Sequence, residues 1–240
     1  MDPNPDTALD AWFGAALGRA VLAHEAVLVR KALDDVFGFE FLQVGAWGSG
    51  AALLAGARMP HATRVAPHAA KGVTLCAPLD MLPFASDSID AILLPHTLEL
   101  VEDPYGVVRE AERVLCAEGC LLVCGFNRLS GWGARRLFAR ALGRGVFPPQ
   151  TRRLLTERRL REWVAVLGFD VDQVSGYLSP LPFAPSQGGE GRERPALAAG
   201  AYLLKARKRV PTLTPVRKKS WTRPRVRIGA AEPTTNVQRE

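Results

Sequence analysis

At 240 residues, 48% of them hydrophobic, the chain can bury one ample core, or one domain with appendages, and no disulfide framework is needed to hold it. No apolar run approaches the ~20 residues of a membrane span. The acidic start MDPNPDTALD lacks a basic segment followed by an apolar one, so a soluble, cytoplasmic protein is expected. The formal net charge of +7 is unevenly laid out: residues 1–127 hold 8 Lys/Arg against 16 Asp/Glu, residues 128–161 hold 10 against 1, and residues 201–240 hold 11 against 2. Two basic blocks therefore stand on an acidic body.

In chain order, Leu9, Trp12, Phe13, Ala16, Leu17 and Ala20 recur at helical spacing, and the pattern drifts on to Leu28, Leu33, Val36 and Phe37. This predicts an N-terminal helical arm over residues 1–37, broken near Gly14 and Gly18, that closes one face of the core. His24 and Glu25 lie within it and carry no pattern of their own. Phe41–Ala46 is expected to be a buried strand that runs through glycines, FLQVGAWGSG, into a helix over Ala51–Arg58. Glycines let the backbone turn tightly and approach a ligand, and the helix that follows offers its unpaired N–H groups. Ala62–Ala66 is the next expected strand. In a dinucleotide-binding protein an acidic residue would follow the glycine turn by about 20 residues to hold the ribose hydroxyls. The segment here, HATRVAPHAAKG, has none, which argues against a nicotinamide cofactor.

Beyond it, a turn at Pro83–Asp90 leads to a strand at Ile89–Leu94, whose continuous apolar run suits a parallel strand covered on both faces. Asp103-Pro104 starts a helix, since Asp can accept the orphan N–H groups and proline at the first position forfeits no hydrogen bond. Val107, Val108, Ala111, Val114 and Leu115 are its apolar stripe, Gly119 ends the connection, and Leu121–Cys124 is the next buried strand. The four cysteines, Cys76, Cys116, Cys120 and Cys124, are expected as buried reduced thiols. With no CxxC pair and no histidine cluster, no metal site is expected.

The string LPFASDSIDAILLPHTLELVEDPYGVVREAERVLCAEGCLLVCGFN resembles the class I S-adenosylmethionine-dependent methyltransferases, in particular the methyltransferase type 11 group, with its LPF, S-x-D, H-x-L-E, DP, RE-x-x-RVL and G-x-L-L-V elements. FLQVGAWGSG sits where that family keeps its first motif, and a helix at Thr151–Leu167 followed by GFDVDQVSGY and AAGAYLLKARKR looks like its closing strand pair. The resemblance covers residues 38–208. It implies an α/β fold, a Rossmann-like seven-stranded, mostly parallel sheet flanked by helices, with S-adenosylmethionine bound across the carboxyl ends of the first strands. Gly45, Trp47, Gly48 and Gly50 would lie against the methionine half of the cofactor. Asp80, Met81 and Leu82 would flank adenine, and Pro95 and His96 would border the sulfonium. His96 is the candidate catalytic residue, a neutral imidazole able to accept a proton, the alternative being a histidine that hydrogen-bonds the backbone and shapes the pocket. Because such a cofactor carries its own activated methyl group, holding acceptor and methyl in line would supply much of the rate. The chain departs from the family at Gln43, where an acidic residue usually opens the first motif, at the longer glycine spacing through Ala46-Trp47, at Pro78 and at the missing acid after the second strand.

The first basic block, residues 128–161, interleaves arginines with Trp132, Phe138 and Phe147, and could meet a nucleic acid, an acidic metabolite or another anionic surface; a solvated helix face is the alternative. Residues 209–240 are basic, rich in proline and without apolar periodicity, and are expected to be a disordered tail. Two functions are carried forward: methyl transfer to an unidentified small or macromolecular acceptor, and a catalytically inactive module of the same fold that docks on a polyanion through its arginines.

Overall fold

The computed structural model describes residues 11–45, 51–54, 57–131, 133–134, 152–177 and 199–209. The chain divides into a unit over Met1–Val210 and a second over Pro211–Glu240, and the whole of the second, the expected tail, lies outside the described residues. The elements of the first unit are α1 (Ala16–Ala32), β1 (Glu40–Val44), α2 (Ala51–Leu54), β2 (His61–Ala66), β3 (Leu75–Cys76), β4 (Ile89–Pro95), α3 (Thr97–Leu100), α4 (Pro104–Val114), β5 (Leu115–Phe126), α5 (Glu157–Val166), β6 (Phe169–Tyr177) and β7 (Ala201–Lys208). The strands form one sheet in the order β3-β2-β1-β4-β5-β7-β6. Pairing is parallel through β5, and only the joins of β7 to β5 and to β6 are antiparallel. This is the seven-stranded, mostly parallel sheet that the resemblance implies.

Side chains alternate across a strand, so each strand feeds two cores. Phe41, Leu93, Leu122 and Leu203 point to the face covered by α1, together with Val21, Leu22, Leu28 and Val29 of that helix. Leu42, Val44, Ile92, Leu94 and Val123 point to the other face, covered by Val107, Val108, Ala111 and Val114 of α4 and by Leu160 and Val164 of α5. Two covered faces explain why β4 and β5 read as unbroken apolar runs. The break in the N-terminal arm falls at Ala15, between the two glycines named above. Gly18 sits in α1 against the Trp12 carbonyl, where an added Cβ would lie 2.3 Å from the oxygen.

Several boundaries differ from expectation. β1 ends at Val44, because Gly45 has φ +101°, outside strand geometry. The last helix begins at Glu157, where the Thr156 hydroxyl caps the Arg159 N–H at 3.3 Å. β5 begins directly at the end of α4 and runs through Gly119, which therefore ends no connection; the register against β4 shifts between Ile89 and Ala91 to absorb the early start. All four cysteines are free, but only Cys120 and Cys124 are buried; Cys116 is half-buried and Cys76 exposed at the end of the two-residue β3.

Two local devices fix the loops on which a site would depend. Asp103 caps α4 by accepting the Gly106 N–H at 3.0 Å, with Pro104 in the first turn as expected. The RE-x-x-R sequence of α4 holds the LPF turn: Glu110 accepts the Leu82 N–H at 2.7 Å, while Arg113 donates to Glu110 and to the carbonyls of Leu82 at 3.1 Å and Phe84 at 2.9 Å. Arg113 draws the Glu110 carboxyl below its usual range by this hydrogen bonding. Replacing Arg113 with Ala leaves two carbonyls and a carboxylate without their donor and should lower stability by roughly 1–2 kcal/mol, screened because the guanidinium is partly exposed. Lysine should restore less than half of the loss, since an ammonium cannot reproduce the planar fork. Chemical denaturation of the three proteins measures it, and full rescue by lysine would contradict the clamp.

Candidate functional site

The carboxyl ends of β1, β4 and β5 converge under Trp12 and Phe13. β4 ends at Pro95, and His96 follows in the left-handed region at φ 54°, a conformation that costs a non-glycine residue free energy unless its surroundings enforce it. Here they do. The His96 N–H donates to the Cys124 carbonyl of β5 at 3.0 Å, and the next residue, Thr97, donates its hydroxyl to the Val44 carbonyl at 2.5 Å, tying the end of β4 to that of β1. The imidazole stacks on Phe126 with centroids 4.2 Å apart, and Phe13 and Trp12 of the N-terminal arm close around the same rings.

Both ring nitrogens of His96 face carboxylates. Nε2 lies 2.6 Å from Oε1 of Glu25, which α1 brings down, and Nδ1 lies 3.2 Å from Oε2 of Glu99 in α3. Glu25 Oε1 also accepts the Tyr177 hydroxyl from the end of β6 at 2.6 Å, and Glu99 Oε1 accepts the Phe126 N–H. His96, Glu25 and Glu99 are each at most 3% exposed. Burial alone would lower the pKa of His96, but the charges of Glu25 and then Glu99 outweigh it and raise the group to about 10. Desolvation pushes Glu99 up, against the pull of His96. Burial, reinforced by Glu25, also raises Tyr177 well above its ordinary value and keeps it a neutral donor.

A histidine expected as a free base is thus an imidazolium with no free nitrogen, and it cannot accept a proton at neutral pH. It fixes geometry and charge instead. The other expected positions are unevenly placed. Gly45 needs its positive φ, and its N–H and carbonyl are taken by the Val65 carbonyl and the Gln43 amide at 2.8 and 2.9 Å, so it contributes shape. Trp47, Gly48 and Gly50 lie outside the described residues. Asp80 and Met81 are exposed beyond the end of β3, whereas Leu82 is turned into the core with both backbone groups held by Glu110 and Arg113. Pro95 and His96 stand at the end of β4 as expected.

Glu25, Glu99 and Tyr177 are the residues that sequence reasoning passed over. Glu25 was visible in one respect: it stands three or four residues from Val21, Leu22, Leu28 and Val29, in the middle of the buried stripe of α1. A carboxylate there must find a partner. Glu99 closes the quoted H-x-L-E element but received no role. Among the described residues, no group of three or more His, Cys, Asp or Glu is arranged to hold a metal ion, and no helix is long and apolar enough to cross a membrane. Trp132 and residues 135–151 of the basic block, Phe138 and Phe147 among them, lie outside the described residues. Further on, Arg152 pairs with Glu102, Arg158 with Glu162 and Arg161 with Glu157.

The sheet order and the converging strand ends define a class I methyltransferase fold. The family described as Methyltransferase domain, type 11, matches residues 44–123. Uncharacterized protein YafS of Escherichia coli is 32% identical over 241 residues, covering 95% of this chain and 94% of the relative. Among solved structures, an S-adenosylmethionine-dependent methyltransferase of Thermotoga maritima superposes with a TM-score of 0.66 at 18% identity, covering 86% of this chain and all of that one. Another, of Mesorhizobium loti, gives 0.54 at 19% identity, covering 78% and 99%. The chain belongs to the methyltransferase type 11 family and, as a member of it, is a methyltransferase with S-adenosylmethionine as its cofactor. The residues present fit that cofactor, for two buried oxygen acceptors, Glu25 Oε2 and Gln43 Oε1, lack a donor at these strand ends.

The charge of His96 has a measurable consequence. Its folded pKa of about 10 lies above the ordinary 6.5, so the folded state holds a proton that the unfolded state releases. The stabilisation is complete below about pH 6.5 and is lost as pH rises through 10. Thermal midpoints should therefore fall between these limits in the native protein, and His96→Gln should flatten that slope. Equal slopes would mean that the imidazole is neutral.

Proposed function

We propose that this methyltransferase works by proximity and orientation on an acceptor seated beneath the N-terminal arm, at the carboxyl ends of β4 and β5. The observation that carries the reading is the grip of Glu25 and Glu99 on His96, which holds the end of β4 in a left-handed turn beside Phe126. When bound, S-adenosylmethionine supplies an electrophilic methyl on a sulfonium. Gly45, together with Trp47, Gly48 and Gly50 that follow it in the sequence, would cradle the methionine half, Asp80 and Met81 would face the adenine, and Pro95 with His96 would wall the reacting centre. His96 is a positioning residue in this scheme: it keeps the strand end rigid and lends the pocket a fixed charge pattern. The aromatic rings of Trp12, Phe13 and Phe126 exclude water, which strengthens every electrostatic contact inside.

The acceptor is a separate question from the cofactor. Docking on a polyanion through residues 128–161 and the tail gains no support from the described ion pairs, in which Arg152, Arg158 and Arg161 of that block are already engaged by Glu102, Glu162 and Glu157.

Calorimetric titration with S-adenosylhomocysteine tests the cofactor site directly. The native protein should bind at micromolar to submillimolar concentration, and Gly48→Asp should lose at least tenfold, because a carboxylate would occupy the space of close backbone approach. No heat and no thermal stabilisation at millimolar ligand would end the enzymatic reading. Retained affinity in Gly48→Asp would move the pocket elsewhere.

A further inference from the structure

Two buried side-chain oxygens near the site lack a hydrogen-bond donor, Oε2 of Glu25 and Oε1 of Gln43. Their residues are 1% and 0% exposed, so water does not reach them from outside as it would reach a surface group. They also share a face. Gln43 stands two residues after Phe41, whose ring lies in the core beneath α1, and it pairs in register with Leu93 of the same core. His96, three residues beyond Leu93, is held by Glu25. Both orphan oxygens therefore lie on the α1 face of the sheet, at the carboxyl ends of β1 and β4, beside Gly45 where the glycine turn begins.

An ionised carboxylate and an amide oxygen can only accept hydrogen bonds. The other oxygen of Glu25 is already engaged by His96 and Tyr177, and the amide nitrogen of Gln43 is engaged by the Gly45 carbonyl. What is missing is a compact group with several N–H donors and a positive charge. Charge leads to the same requirement, since one imidazolium faces the two carboxylates Glu25 and Glu99. Lys205, the described lysine on this face of β7, is bound to Asp35 just beyond the far end of α1 and does not fill the role.

We propose that Glu25 Oε2 and Gln43 Oε1 form a binding site for a primary ammonium group. Two ligands could bring one: the amino-acid half of the cofactor, which rests on the function proposed above, or an amine acceptor. If the cofactor brings it, the negative charge missing from Gln43, where the family usually has an acid, is provided by Glu25 from the neighbouring helix. The glutamine then serves as a neutral second acceptor.

Calorimetry on the full chain separates these cases, using S-adenosylhomocysteine and 5′-methylthioadenosine, which keeps the adenosine and the thioether but has no ammonium. If the cofactor supplies the group, Glu25→Gln weakens S-adenosylhomocysteine tenfold or more and methylthioadenosine less than twofold. Adding Gln43→Glu then restores most of the affinity, a charge-swap rescue that a merely structural glutamate would not show. Should Glu25→Gln fail to fold, Gln43→Met removes the second acceptor together with the amide's hydrogen bond to the Gly45 carbonyl, and the loss should still fall on S-adenosylhomocysteine and not on methylthioadenosine. If instead S-adenosylhomocysteine is unaffected, but n-butylamine stabilises the saturated native protein and not Glu25→Gln, the ammonium belongs to the acceptor. Equal loss of both nucleosides, or no effect on either together with no butylamine response, overturns the site. Native protein that binds neither nucleoside defeats the cofactor reading instead, and the ammonium site is then decided by whether n-butylamine stabilises the unliganded native protein and not Glu25→Gln.

Discussion

An imidazolium buried between two carboxylates is tolerable only when its neighbours are held at fixed positions, and in this protein four elements hold them. Glu25 comes from α1, His96 from the turn after β4, Glu99 from α3, and Tyr177 from the end of β6, while Phe126, the last residue of β5, ties its N–H to Glu99. Taking any one partner away would leave a charge in a low dielectric, which costs about 3–5 kcal/mol in comparable buried pairs. The N-terminal arm is therefore bound to the sheet by more than apolar contact. Its registry along the sheet, the left-handed turn at His96 and the end of β6 are set by the same group of atoms.

The left-handed turn matters because of what adjoins it. Thr97 fastens the turn to Val44, the last residue of β1, and Gly45 opens the glycine turn immediately beyond. A cofactor lying across these strand ends would touch backbone that is already committed to one conformation, so little ordering would remain for binding to do. On the far side, the LPF turn is held in a comparable way by Glu110 and Arg113 of α4. The RE-x-x-R and LPF strings of the sequence are thus one structural unit, a helix gripping a turn. The two regions expected to meet the cofactor are stiffened by different means, a buried charge cluster and a half-exposed guanidinium fork.

Protonation follows from this arrangement and changes the part given to histidine. A lone histidine at a strand end suggests a base that titrates near neutrality. Carboxylates on both sides outweigh the burial and hold the proton in place, so the residue keeps a positive charge across the physiological range. Methyl transfer from a sulfonium asks little of a base and much of alignment, and a fixed imidazolium suits the second demand. Cys124, buried near Glu25 and Glu99, is pushed well above the ordinary thiol range by desolvation and then by these carboxylates, and is inert packing for the same cluster.

Much of the fold was legible because it is written in local signals. Continuous apolar runs marked β4 and β5, alternation placed their residues on two cores, and Asp103-Pro104 marked the start of α4 to the residue. Strand and helix limits slipped by a few residues where a positive φ at Gly45, the Thr156 cap or the shifted register of β5 intervened, since such boundaries depend on hydrogen bonds to other elements. The candidate site was half legible. The glycines, the LPF turn and His96 lie in recognisable strings, but Glu25 and Tyr177 are separated by 152 positions and meet on one oxygen. Sequence by itself determined the sheet, its two covered faces and the family, because periodicity and motif spacing are properties of consecutive residues. Only the tertiary structure decided that His96 is charged and that Glu25 belongs to the site, because the energy of a buried charge depends on which distant groups the fold brings within hydrogen-bond reach.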